Sequence, residues 1–156
     1  MKIADFLDKK AMSADVQSEK KEGVIRELVG LLIKTKAIRP KDKDAIVKTV
    51  LGRELLGSTG IGQGIGIPHG KSPNVKELVG AVGISRRGID FDSLDGEPVY
   101  IFFLLLAPQA SAGPHLKALA RISRLLKDKY FRDMLRNVKD EKELSNIIFK
   151  EDQKQS

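Results

Sequence analysis

Ser58-Thr59-Gly60-Ile61-Gly62-Gln63-Gly64-Ile65-Gly66-Ile67-Pro68-His69-Gly70-Lys71-Ser72 is the least ordinary stretch of the chain. Glycine stands at every second position from 60 to 66. In extended backbone those glycines line one face and Ile61, Ile65, Ile67 and His69 the other. A strand built only for packing does not use glycine this way, because glycine brings no side chain and weakens the strand. The pattern marks either a place where backbone or a ligand comes close, or a glycine-rich loop feeding a buried strand. Phosphate-loop readings fail on spacing. A G-x-G-x-x-G loop needs its third glycine where Ile65, Ile67 or His69 stands, and a Walker A loop ending Gly70-Lys71-Ser72 needs a glycine at Ile65.

The composition around this stretch narrows the class. With 156 residues and 41% hydrophobic content the chain fits one domain with a core. It has no cysteine, which removes disulfides, a thiol nucleophile and cysteine-based zinc sites. The longest apolar run, Val99 to Ala107, is nine residues, against about 20 for a membrane span. Met1-Lys2-Ile3-Ala4-Asp5-Phe6 has no apolar core of a signal peptide. A cytoplasmic protein without membrane insertion is expected. The net charge of +7 is spread unevenly, with 13 basic and 9 acidic groups in residues 1–60, 4 and 5 in 61–110, and 11 and 7 in 111–156. Basic and acidic groups mix on segments that read as solvated helix faces. With two Tyr and six Phe, mostly in apolar runs, no stacking surface for nucleic acid is visible.

Outward from the glycine stretch, residues 18–36 read as a helix capped by Ser18, with Val24, Ile25, Leu28 and Leu32 as its stripe. Pro40, Asp42 and Asp44 open a second helix with Ile46, Val47, Val50, Leu51 and Leu55 inward, ending near Gly57. Strand character follows at 64–69, 78–85 and 98–107, the last apolar almost throughout, as for a strand covered on both faces. Pro114, suited to a first helical position, opens a helix to Lys127 with Leu116, Leu119, Ile122 or Ser123, and Leu126 on its inward side. Tyr130–Val138 reads as a short helix. Asp140 with Glu143 caps another, and the polar tail, 151–156, is expected to fray. The order gives an α+β domain over 1–150.

Three residues around the glycine stretch carry chemical potential. His69 ends it after a proline, so one ring nitrogen can face outward while the other is held by a backbone group. Imidazole titrates near 6.5 and is largely neutral and nucleophilic at cellular pH. His115 lies near the start of the helix opened by Pro114, where free N–H groups and the helix dipole favour an anion. Its other reading is a surface residue of that helix. Arg53, at the end of the second helix, reads alone as a solvated arginine, and beside two histidines as a phosphate clamp. Two histidines without an evident third ligand do not make a metal site.

Gly52-Arg53-Glu54, Ser58-Thr59-Gly60-Ile61-Gly62 and Ile65-Gly66-Ile67-Pro68-His69-Gly70 closely resemble the fructose/mannitol-type (type 2) enzyme IIA domain of the bacterial phosphotransferase system. The likeness continues through Gly88-Ile89-Asp90-Phe91-Asp92, Leu94-Asp95-Gly96-Glu97-Pro98-Val99, Ala107-Pro108 and His115-Leu116-Lys117-Ala118-Leu119-Ala120, from about Ile3 to Phe149. Gly66 departs from the family's usual alanine. The resemblance implies a three-layer α/β/α sandwich around a mixed sheet. It implies that His69 is transiently phosphorylated at Nε2, with His115 and Arg53 as active-site partners and no cofactor or metal. The phosphoryl group would come from the phosphohistidine of an HPr-like carrier, itself charged from phosphoenolpyruvate by enzyme I. It would serve either regulation of target proteins, as in the stand-alone nitrogen-regulatory enzyme IIA, or sugar uptake through a separate enzyme IIB.

Overall fold

A computed structural model describes residues 1–155. A 3₁₀ turn, Ile3–Asp5, leads into β1 (Leu7–Ser13), then α1 (Lys21–Lys34) and α2 (Lys43–Leu55), the latter entered through a 3₁₀ turn at Pro40–Asp42. Three short strands follow, β2 (Gly60–Gly62), β3 (Ile65–Gly66) and β4 (His69–Ser72), and then the long β5 (Val79–Ile89) and β6 (Val99–Pro108). The chain closes with α3 (Ala112–Leu126), α4 (Lys129–Arg136) and α5 (Glu141–Lys154). The strands form one mixed sheet in the order β1-β5-β6-β3-β2, with β4 also paired to β6. β3 and β4 both run parallel to β6, β3 along Ile101 and Phe102 and β4 along Leu105 to Pro108, so together they flank one side of β6 as a line broken at Ile67-Pro68.

Helices cover both faces, which gives the expected three layers. On β6, Ile101, Phe103 and Leu105 join the core beneath α3, α4 and α5, whereas Phe102, Leu104 and Leu106 join the core beneath α1 and α2. A strand serving two cores needs apolar residues at every position, and that is why β6 reads as an unbroken hydrophobic run. β1 gives no such signal. Asp8, Lys9 and Lys10 are exposed in its middle, and its register against β5 shifts between Leu7 and Met12, so the period-two alternation is lost.

Several expectations need correction. The stretch 64–69 is not one strand: Gly62, Gln63 and Gly64 have φ of 97°, 61° and 77° and form a tight turn between antiparallel β2 and β3. Ser18 does not cap α1. Its hydroxyl donates to Glu27 Oε1 at 2.9 Å, because Glu27 reaches back to collect the N–H groups of Gln17 and Ser18. Pro114 is the third residue of α3 rather than the first, still within the turn whose N–H groups lack intrahelical partners. Leu116 is 66% and Leu55 89% exposed, as the inward faces run through His115, Ala118, Ile122 and Leu125 on α3 and through Ile46, Val47, Val50 and Glu54 on α2. The tail does not fray at 151, since α5 continues to Lys154 and Asp152 is buried against Arg121, Nη2 to Oδ1 at 2.8 Å. No helix among the described residues is long and apolar enough to cross a membrane.

Candidate functional site

β4 decides where His69 points. It pairs in parallel with β6, His69 opposite Leu105 and Lys71 opposite Ala107, so both side chains project to the face covered by α3. Gly70 faces α2, where a Cβ would lie 3.3 Å from Thr49 Cγ2. Pro68, which has no N–H to leave unpaired, uses its carbonyl to accept the N–H of Leu105 at 3.0 Å and so anchors the residue before His69.

α3 brings His115 to the same place. It is the fourth residue of the helix, 5% exposed, and its ring meets that of His69 edge-on, centroids 5.4 Å apart at 64°. His69 Nδ1 lies 2.8 Å from the carbonyl oxygen of Ile67. A carbonyl only accepts, so Nδ1 carries the proton and Nε2 presents its lone pair. Burial holds the His69 ring below its ordinary pKa and the Arg53 charge adds to this, while the Ile67 carbonyl and Glu54 oppose it. His115 is pushed down to about 4, chiefly by burial and then by His69 and Lys71. Both rings are therefore neutral at pH 7. Nδ1 of His115 is buried without a hydrogen-bond partner among the described residues.

Arg53 lies in the last turn of α2, half-buried, with Nη1 donating to the Gly57 carbonyl at 2.8 Å. One edge of its guanidinium thus closes the helix end, and its charge reaches His69. The structure accordingly groups all three residues singled out in the sequence. It adds Glu54 and Thr59, which sequence reasoning missed. Glu54 is 6% exposed, accepts the Thr59 N–H at 3.2 Å and the Thr59 hydroxyl, and pairs with Lys21 Nζ at 3.1 Å. Its position was legible, since 46, 50 and 54 are successive steps of four on the buried stripe of α2. A charged residue there reads as an error in the stripe unless its partners are known.

The histidine pair does not lie in the cleft of about 370 Å³ behind the glycine turn, which is lined by Gln63, Tyr100, Arg132 and Arg136 among others. The family model for the phosphoenolpyruvate-dependent sugar phosphotransferase system, EIIA 2, matches residues 5–151. The chain belongs to this family. As an EIIA protein it is a phosphotransferase component of that system. It is 36% identical over 148 residues to a nitrogen regulatory protein of Bradyrhizobium diazoefficiens, with 95% of each chain covered. It is 38% identical over 152 residues to the fructose-specific EIIABC component of Bacillus subtilis, matching 97% of this chain but spanning only 24% of that protein. The crystal structure of nitrogen regulatory protein IIA-Ntr from Neisseria meningitidis superposes with a TM-score of 0.82 at 32% identity, over 94% of this chain and 98% of that one.

Proposed function

We propose that this EIIA protein accepts a phosphoryl group on Nε2 of His69 from the phosphohistidine of an HPr-like carrier and acts in the cytoplasm as a regulatory relay of the nitrogen type. The observation that carries the reading is the His69 Nδ1–Ile67 carbonyl bond, which leaves Nε2 as the free nucleophile beside the start of α3. The lone pair of Nε2 attacks phosphorus as the carrier's P–N bond breaks and that electron pair returns to the carrier's ring. No proton need leave His69. Alignment of the two nitrogens and neutralisation of the phosphoryl oxygens supply the catalysis. His115, the first-turn N–H groups of α3 and the outer edge of the Arg53 guanidinium serve that second need. His69, part-buried and outside that cleft, suits a protein donor.

The 36% identity to a nitrogen regulatory protein supports the regulatory output. The likeness to part of a fructose-specific EIIABC component supports a second output, transfer to a separate enzyme IIB for sugar uptake. Phosphoenolpyruvate labelled with ³²P, enzyme I and HPr should label the wild type at one acid-labile, base-stable position and leave His69→Ala unlabelled. Full labelling of His69→Ala would remove His69 from the reaction. Transfer from the labelled protein to a purified fructose-type enzyme IIB, compared with capture of protein targets in the two phosphorylation states, separates the outputs.

A further inference from the structure

Glu54 is a buried carboxylate held between Lys21 and Thr59. Both of its oxygens lie 3.2 Å from the Thr59 nitrogen, and Oε1 takes the Thr59 hydroxyl. The Thr59 carbonyl accepts the N–H of Ile67 at 3.0 Å. The Ile67 carbonyl accepts Nδ1–H of His69 at 2.8 Å. Three hydrogen bonds joined through the backbone of Thr59 and Ile67 thus lead from the end of α2, across the segment before β2, to the ring at the start of β4. Their far end is held by Lys21 of α1, whose Nζ lies 3.1 Å from Glu54, 3.3 Å from Asp92 and 4.6 Å from the centroid of the Phe91 ring.

We propose that Glu54 is the positioning and charge-balancing residue of His69, with Lys21 setting how much of its charge the ring feels. The proposal rests on the phosphoryl-acceptor reading. A ring that keeps its proton on Nδ1 and gains a phosphoryl group on Nε2 becomes an imidazolium. The charged or titratable groups facing it are Arg53 and Glu54 from α2, His115 from α3 and Lys71 from β4 itself. Glu54 is the one acid in that set. Its charge favours the cationic ring, against the opposing charge of Arg53. By fixing Thr59, and through it Ile67, it also keeps the accepting carbonyl in line with Nδ1, so the neutral ring stays in the tautomer that frees Nε2.

Two substitutions give opposite forecasts. Glu54→Gln keeps the shape and an acceptor for Thr59 but removes the charge, so the His69 ring should protonate less readily, its proton affinity falling by about three- to tenfold. Lys21→Gln frees the Glu54 charge, so the affinity should move the other way. The His69 titration is followed by ¹⁵N–¹H NMR on the unphosphorylated full chain. Thermal melting checks folding. A merely structural role predicts no shift, or shifts of one sign in both variants, and either result overturns the proposal. If Glu54→Gln fails to fold, the direction of the Lys21→Gln shift decides. If the wild type takes up no phosphoryl group, the functional reading fails and the titrations alone judge the link from Glu54 to His69.

Discussion

An imidazole packed as His115 is, 5% exposed and held near pKa 4, binds its proton far less readily in the folded protein than in the unfolded chain. Between the unfolded value of about 6.5 and the folded one the unfolded state carries the extra proton, so stability rises with pH across that window. The contribution is whole above about 6.5 and is lost as pH falls through 4, amounting to at most about 3 kcal/mol. His69, whose pKa is also lowered, adds to the same slope. His115→Gln should therefore lose less melting temperature than the wild type between pH 7 and 4.5, and parallel Tm–pH curves would reject this. Arg53 makes a different forecast. Lysine can replace its bond to Gly57 and its charge but not two donors fixed in one plane, so Arg53→Lys should melt near the wild type and exchange phosphoryl groups on the order of 10²-fold more slowly. Quench-flow transfer with HPr measures this, and wild-type rates would exclude a clamping role. His69, His115 and Arg53 were legible because each stands at a punctuated place, after Pro68, after Pro114 or at a helix end. Glu54 was not, because its partners Lys21 and Thr59 lie 33 residues before and five residues after it, and only the packing of α1 against α2 brings Lys21 to it.

The glycine hairpin shows where element reading succeeds and where it fails. A spacing of two is common to one face of a strand and to a turn with a single residue between glycines, and nothing in the letters separates them. The turn wins because Leu94 N–H binds the Gly60 carbonyl at 2.9 Å, Asp95 accepts the Gln63 N–H at 3.1 Å, and Tyr100 and Ile101 both donate to the Gly64 carbonyl. All of these partners come from 30 to 40 residues further along the chain. β6 needed no such knowledge, since its two-sided burial is written in its own residues. Gly64 has φ +77° and its Cβ position lies 3.3 Å from Tyr100 Cδ2. Gly64→Ala should therefore cost about 1–3 kcal/mol in urea denaturation. Gly52 is exposed inside α2 and has open space around its Cβ position, so Gly52→Ala should stabilise by about 0.5–1 kcal/mol. A stabilising Gly64→Ala would contradict the turn assignment.

On the scale of the molecule, the layer of α3, α4 and α5 is tied to the start of the chain at one polar knot. Arg121 of α3 donates to Asp152 of α5 through Nε at 3.1 Å and Nη2 at 2.8 Å, and Asp152 also accepts the N–H groups of Ile3 and Ala4. Both side chains are under 5% exposed. Asp152→Ala leaves a buried guanidinium without its carboxylate and should cost about 3–5 kcal/mol, whereas Arg121→Met with Asp152→Leu should recover only part of that loss, because the N–H groups of Ile3 and Ala4 still lack their acceptor. Urea denaturation of the three proteins checks it, and a loss below about 1 kcal/mol for Asp152→Ala would show the knot to be solvated. The polar letters from Lys150 onward resembled a loose end because the apolar stripe of α5 stops at Phe149; the residue that holds the last turn is an acid. One more property follows from this knot. Lys2 Nζ donates to the carbonyls of Asp152 at 2.8 Å and Gln155 at 2.5 Å, so the entry and exit of the fold lie within reach of a single side chain. A polypeptide can leave a host protein, trace this whole domain and re-enter almost where it left. The unit can thus be spliced into a loop of another chain, or circularly permuted through a short bridge, without pulling on its sheet.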